Sequence, residues 1–132
     1  MKAFFPFAMT TRDITVRVSV SYLAEQSDPQ RGRWFWAYHI RIENDGDETV
    51  QLLTRNWFIT DGHGLVSEVE GDGVVGEQPV LSPGQSFDYV SGCPLTTTSG
   101  TMVGQFGMIT EDDEMFDIAI PQFPLVAPTV AI

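Results

Sequence analysis

A chain of 132 residues, 42% of them hydrophobic, is long enough for one domain to bury roughly two-thirds of its unfolded surface without metal or disulfide staples. A formal charge of -11 and a pI near 4.2 exclude DNA, RNA and anionic membrane as main partners, because each is recognised through a basic patch. The single cysteine, Cys93, has no internal disulfide partner and fits a reducing compartment.

The opening apolar run is short and broken by Pro6, so it does not read as a secretion signal. No run approaches the roughly 20 apolar residues that span a bilayer, and the expected location is the cytoplasm. Ile14, Val16, Val18, Val20 and Tyr22 alternate with polar residues, the pattern of a half-buried strand. After a polar loop from Ala24 to Gly32, a second strand places Trp34, Trp36, Tyr38, Ile40 and Ile42 on one face. Phe35, Ala37, His39, Arg41 and Glu43 take the other. Asn44-Asp45-Gly46-Asp47 reads as a hairpin turn, since these residues tolerate positive φ. A third strand, Val50 to Thr60, changes the phase of its apolar residues, which predicts a β-bulge near Arg55.

Leu65 to Val69 continues the strand pattern, and the stretch after it has the spacing G-x-G-x-x-G at Gly71, Gly73 and Gly76. On a strand–helix turn that spacing would cradle a pyrophosphate. Here Pro79 and Pro83-Gly84 forbid the helix, and Asp72 and Glu77 would repel an anion. The glycines therefore read as turns and bulges. Alternation resumes at Phe87, Tyr89 and Ser91, and again at Met102, Gly104, Phe106 and Met108. Glu111-Asp112-Asp113-Glu114 then turns into Phe116, Ile118 and Ile120. The expected fold is all-β: an immunoglobulin-like or fibronectin type III-like antiparallel sandwich of about seven or eight strands, with no helix longer than about two turns.

Four segments resemble the ApaG family of small bacterial proteins. They are Tyr22–Pro29, Trp36–Asn44, Leu52–Asp61 and Gly71–Gly84, the last continued by Phe87–Leu95 and Ser99–Met102. The resemblance covers residues 12–123, which implies an N-terminal extension at 1–11, a sandwich domain at 12–123 and a C-terminal tail at 124–132. It also implies a fibronectin-III-like sandwich whose biochemical role is unsettled. Bacterial members are linked to cobalt sensitivity and magnesium efflux, and their gene commonly lies near that of a diadenosine tetraphosphate hydrolase. Related domains in eukaryotic F-box proteins and in a polymerase-interacting protein imply a binding module. The family commonly has Arg-His-Trp where this chain has Arg55-Asn56-Trp57, so no role of that histidine carries over.

Catalysis has little support, since His39 and His63 stand in a strand and a turn with no evident nucleophile. Cys93, between Gly92 and Pro94, reads as a buried small hydrophobe. Glu111, Asp112, Asp113 and Glu114 are the metal candidates, but they lack the alternate ligand spacing of a calcium loop. No cofactor is expected. Trp34, Phe35 and Trp36 put bulky side chains on both faces of one strand, and Arg55 and Trp57 add the residue types enriched in interface hot spots. The sequence thus points to a non-enzymatic module that binds a protein partner, with a homodimer left open and with a tie to divalent-cation homeostasis. The alternative is a weak nucleotide or pyrophosphate binder or hydrolase that uses Gly71–Gly76 with Arg31, Arg33 or Arg55.

Overall fold

The computed structural model describes residues 4–128. Nine strands fold into two antiparallel sheets: β1 (Phe7–Thr11), β2 (Ile14–Tyr22), β3 (Trp34–Asn44), β4 (Val50–Asp61), β5 (Val66–Asp72), β6 (Val80–Leu81), β7 (Ser86–Leu95), β8 (Ser99–Thr110) and β9 (Met115–Val126). A 3-10 turn at Pro29–Arg31 is the one helical element among the described residues. One sheet has the order β1-β2-β3-β7. The other runs β5-β4-β8-β9, and β6 prolongs the line of β5 by pairing with the start of β4.

Alternation builds the core. Val16, Val18, Trp36, Ile40 and Ile42 point inward from the four-stranded sheet. Leu52, Trp57, Phe106, Ile118 and Phe123 meet them from the five-stranded one. At the centre, Trp57 stands edge-on to Phe123 (ring centroids 5.9 Å apart) and to Tyr38 (5.4 Å), a geometry that suits the aromatic quadrupole.

Several expectations need correcting. Asn44–Asp47 does not close a hairpin, because β3 and β4 lie in different sheets and none of the four residues has positive φ. Instead Asn44, 1% exposed, holds the crossing: its Nδ2 donates to the carbonyls of Glu48 and Leu81, and its Oδ1 accepts from the Gly46 amide. The expected bulge in β4 is present, and the register of β4 on β8, which shifts between Leu52 and Thr54, places it at Leu53, two residues before Arg55. The sandwich also takes in residues assigned from the sequence to the extensions. Phe7–Thr11 pairs with β2 through a tight turn at Arg12-Asp13, both at positive φ. At the other end Leu125 is fully buried, and the Trp36 indole donates to the Val126 carbonyl at 3.2 Å. Residues 1–3 and 129–132 of those extensions lie outside the described residues.

Candidate functional site

The residues singled out in the sequence do not converge on one site. Trp36 and Trp57 are 1% and 2% exposed, so neither is a surface anchor; strand alternation turns both into the core. Trp34 is half-buried and packs against that core. Phe35 alone points outward, and its ring lies across Gly92 of β7, where a Cβ would sit 2.6 Å from it. The sequence makes the strand two-faced in its aromatics, but the outer aromatic covers a glycine and does not stand proud.

Arg55 does lie beside the glycine segment, as a pyrophosphate site would need. Its guanidinium is stacked over Gly71, and its Nη1 donates to the carbonyls of Asp72 and Gly73, each at 3.0 Å. Three of the segment's own amides are also taken. The Gly73 amide bonds the Leu53 carbonyl, and the Val74 and Glu77 amides bond each other's carbonyls. Gly73 and Gly76 hold φ of 68° and 82° and close a tight turn, not a nest open to an anion. Arg31 and Arg33 sit in the polar loop before β3, on a different element. Arg31 pairs there with Asp28.

The acidic turn Glu111–Glu114 joins β8 to β9 and is exposed along its length. Glu114 is engaged by Arg12 at 2.9 Å, and that hydrogen bond and charge hold its carboxyl below the ordinary range. No three acidic, histidine or cysteine side chains among the described residues group as a metal would require. Cys93 is buried, and burial pushes its thiol up to about 11, away from the thiolate form a nucleophile needs. His39 bonds Asp88 at 2.9 Å and stands opposite Ser19 of β2, and His63 lies in an exposed turn; neither ring is hydrogen-bonded to a serine, threonine or cysteine among the described residues.

The outward faces of the two sheets differ sharply. On the four-stranded sheet the charges form a network. Arg17 and Arg41 both donate to Glu43, Arg41 also reaches Asp88, and Asp88 accepts from His39. Burial acts to raise the Glu43 carboxyl, but the hydrogen bonds from Arg41 and Arg17 outweigh it and hold the group below the usual carboxylate range.

On the five-stranded sheet the register sets Glu68, Phe58 and Val103 side by side, then Glu70, Asn56 and Gln105, then Asp72, Thr54, Gly107 and Asp117. None of its four carboxylates is in an ion pair among the described residues. Glu70 is shifted the other way from Glu43: a hydrogen bond to Glu68 and the repulsion of its charge raise the carboxyl. Phe58 and Val103 are each 37% exposed in the adjoining row. Between Glu70 and Asp72 on one side and Gln105 and Asp117 on the other lies a cleft of about 400 Å³. The Oδ1 of Asn56, which lines it, is buried with no hydrogen-bond partner among the described residues.

β5 borders this face as a sheet edge. All its residues but Gly71 are exposed, and it contains no proline or bulge, so the like charges of Glu68, Glu70 and Asp72 are what blunt this edge. The other long edges have prolines: β9 carries Pro121 and Pro124, and β7 carries Pro94. The signal for β5 was present in the sequence, in the alternate acids Glu68, Glu70 and Asp72. Its meaning depends on which strand lies next to it, and that only the fold supplies.

Comparison with known proteins gives a consistent picture. The ApaG domain family matches residues 24–110. A protein named ApaG from Rhodospirillum centenum is 57% identical over 122 residues, covering 92% of this chain and 94% of that one. Another ApaG, from Caulobacter vibrioides, is 54% identical, covering 92% and 87%. A solved Bordetella pertussis structure, described as an ApaA protein, superposes with a TM-score of 0.85 at 46% identity, over 89% of this chain and 96% of that one.

Proposed function

This chain belongs to the ApaG family, and from that premise we propose that it is a binding module with no chemistry of its own, which engages a protein partner through the outer face and open edge of the five-stranded sheet. One observation carries the reading. Glu68, Glu70, Asp72 and Asp117 stand unpaired on that face beside exposed Phe58 and Val103, whereas the opposite face has its charges neutralised. Like charges left together weaken the folded state, and an apolar patch beside them is the usual mix of a protein interface. A tie to cobalt or magnesium homeostasis would run through the partner, since the acidic residues do not group as a cation ligand set.

The test is capture from a bacterial extract by the immobilised chain, with two variants alongside. Phe58→Ala combined with Glu70→Lys alters the five-stranded face. Val90→Ser alters an exposed position on the four-stranded sheet. A defined protein should be retained by the wild type and by Val90→Ser, and its affinity should fall by roughly 30-fold with the double variant, the loss typical of one interface anchor. Equal retention by all three, or loss with Val90→Ser alone, would contradict the reading.

A further inference from the structure

We propose that the edge of β5 accepts an extended segment with lysine or arginine at alternate positions, which adds to the five-stranded sheet as a further strand. The proposal rests on the binding-module reading and names the partner's chemistry. Three observations meet here. First, among the described residues β5 pairs only with β4, so one side of its backbone from Val66 to Glu70 offers unused amides and carbonyls, while the Asp72 carbonyl is taken by Arg55. Strand addition to such an edge takes its affinity from main-chain bonds and its specificity from alternate side chains.

Second, the acids repeat at every other residue. Glu68, Glu70 and Asp72 share the outer face, because their partners Phe58, Asn56 and Thr54 alternate with inward Trp57 and Arg55. An added strand repeats the same two-residue period, so cations at alternate positions would each face a carboxylate. The Arg55 guanidinium is stacked over Gly71 and bonded to the carbonyls of Asp72 and Gly73, so it closes the Asp72 end of the edge and leaves Val66–Glu70 for an added strand. A long basic side chain reaching past β5 would find the cleft lined by Glu70, Asp72 and Asp117.

Third, the same charges exclude a second copy of this chain as the occupant. Antiparallel pairing of β5 with β5 would bring Glu68, Glu70 and Asp72 of each copy against one another, and like charges directly opposite destabilise a strand pair. The edge is closed to itself by charge and open to a basic strand.

The experiment follows the amide spectrum of the ¹⁵N-labelled intact chain while a capped peptide of about nine residues, alternating lysine with threonine, is added. Two control peptides are used: one with glutamate for lysine, and one with alternate backbone amides N-methylated. Saturable shifts centred on Val66–Asp72 are expected. Affinity should fall at least about tenfold with Glu68→Gln plus Glu70→Gln in the protein, and also with N-methylation of the peptide. Equal binding of the N-methylated peptide would mean salt attraction without a new strand and would overturn the proposal. So would shifts elsewhere that leave β5 unmoved, or no saturable shift up to about 1 mM. If the peptide fails while Phe58→Ala with Glu70→Lys still abolishes capture, strand addition is wrong and the binding module stands. If the peptide docks on β5 while captured proteins ignore those substitutions, the edge accepts a basic strand and the module reading is the one that fails.

Discussion

On the outer face of the four-stranded sheet, every charged residue of β3 is engaged: His39 and Arg41 by Asp88, and Arg41 and Glu43 by each other, with Arg17 joining from β2. Across the sandwich, β5 and β9 present Glu68, Glu70, Asp72 and Asp117 with no cation among the described residues to meet them. Both faces are solvated, so neither needs its charges for burial. One face is electrostatically complete within the chain, and the other is complete only with something from outside. Surplus charge of one sign marks where a partner is expected; a satisfied network marks a finished surface.

The largest effect separates inside from outside on a single strand. Trp57→Ala should cost about 3–5 kcal/mol of stability, because it empties a fully packed site between Tyr38 and Phe123. Its neighbour Phe58→Ala should cost under about 1 kcal/mol, as an exposed position away from any packed or charged network. Denaturant unfolding of the two variants checks both. Similar losses would mean that Phe58 is structural and the five-stranded face less free than described.

The inward residues were readable from the sequence, because period-two alternation fixes which side chains share a face whichever strands pair. Ile14–Tyr22 and Trp34–Ile42 behave in this way. What alternation cannot show is which strand lies alongside. Asn44–Asp47 carries the residues of a hairpin turn, yet a buried Asn44 side chain turns the chain into the other sheet. Strand β1 escaped notice because it is short and its turn places non-glycine Arg12 and Asp13 at positive φ. Trp36 and Trp57 suggested hot spots by residue type alone, and burial overrules type. The acids of β5 were plain as residues, but their importance comes from standing at an open edge opposite Phe58 and Asn56.

The next effect tests the satisfied face. Glu43→Gln removes a half-buried acceptor of two arginines and should cost about 1 kcal/mol at neutral pH, an amount kept small by solvent around the arginines. Glu43 is held below its ordinary value when folded. Its contribution is therefore complete above the unfolded carboxylate pKa and is lost as pH falls through the lowered folded value. The wild type should lose more stability than Glu43→Gln over that acid range, as thermal melts at stepped pH would show.

The smallest effect belongs to the unsatisfied face and has the opposite sign. Glu70 is raised when folded, so it opposes folding at neutral pH and ceases to do so as acid protonates it. Glu70→Gln should leave the melting temperature unchanged or slightly higher at pH 7. A clear loss of stability would place Glu70 in an internal network and remove the contrast between the two faces.

The central claim is that the five-stranded sheet, not the four-stranded one, meets the partner. Hydrogen–deuterium exchange on the chain alone and in complex with its captured protein tests this directly, since β5 and β7 are edge strands of different sheets and report on each. The account predicts slowed exchange at Val66–Asp72 in the complex, with Ser86–Leu95 unchanged. Slowed exchange at Ser86–Leu95 with Val66–Asp72 unaffected would contradict it.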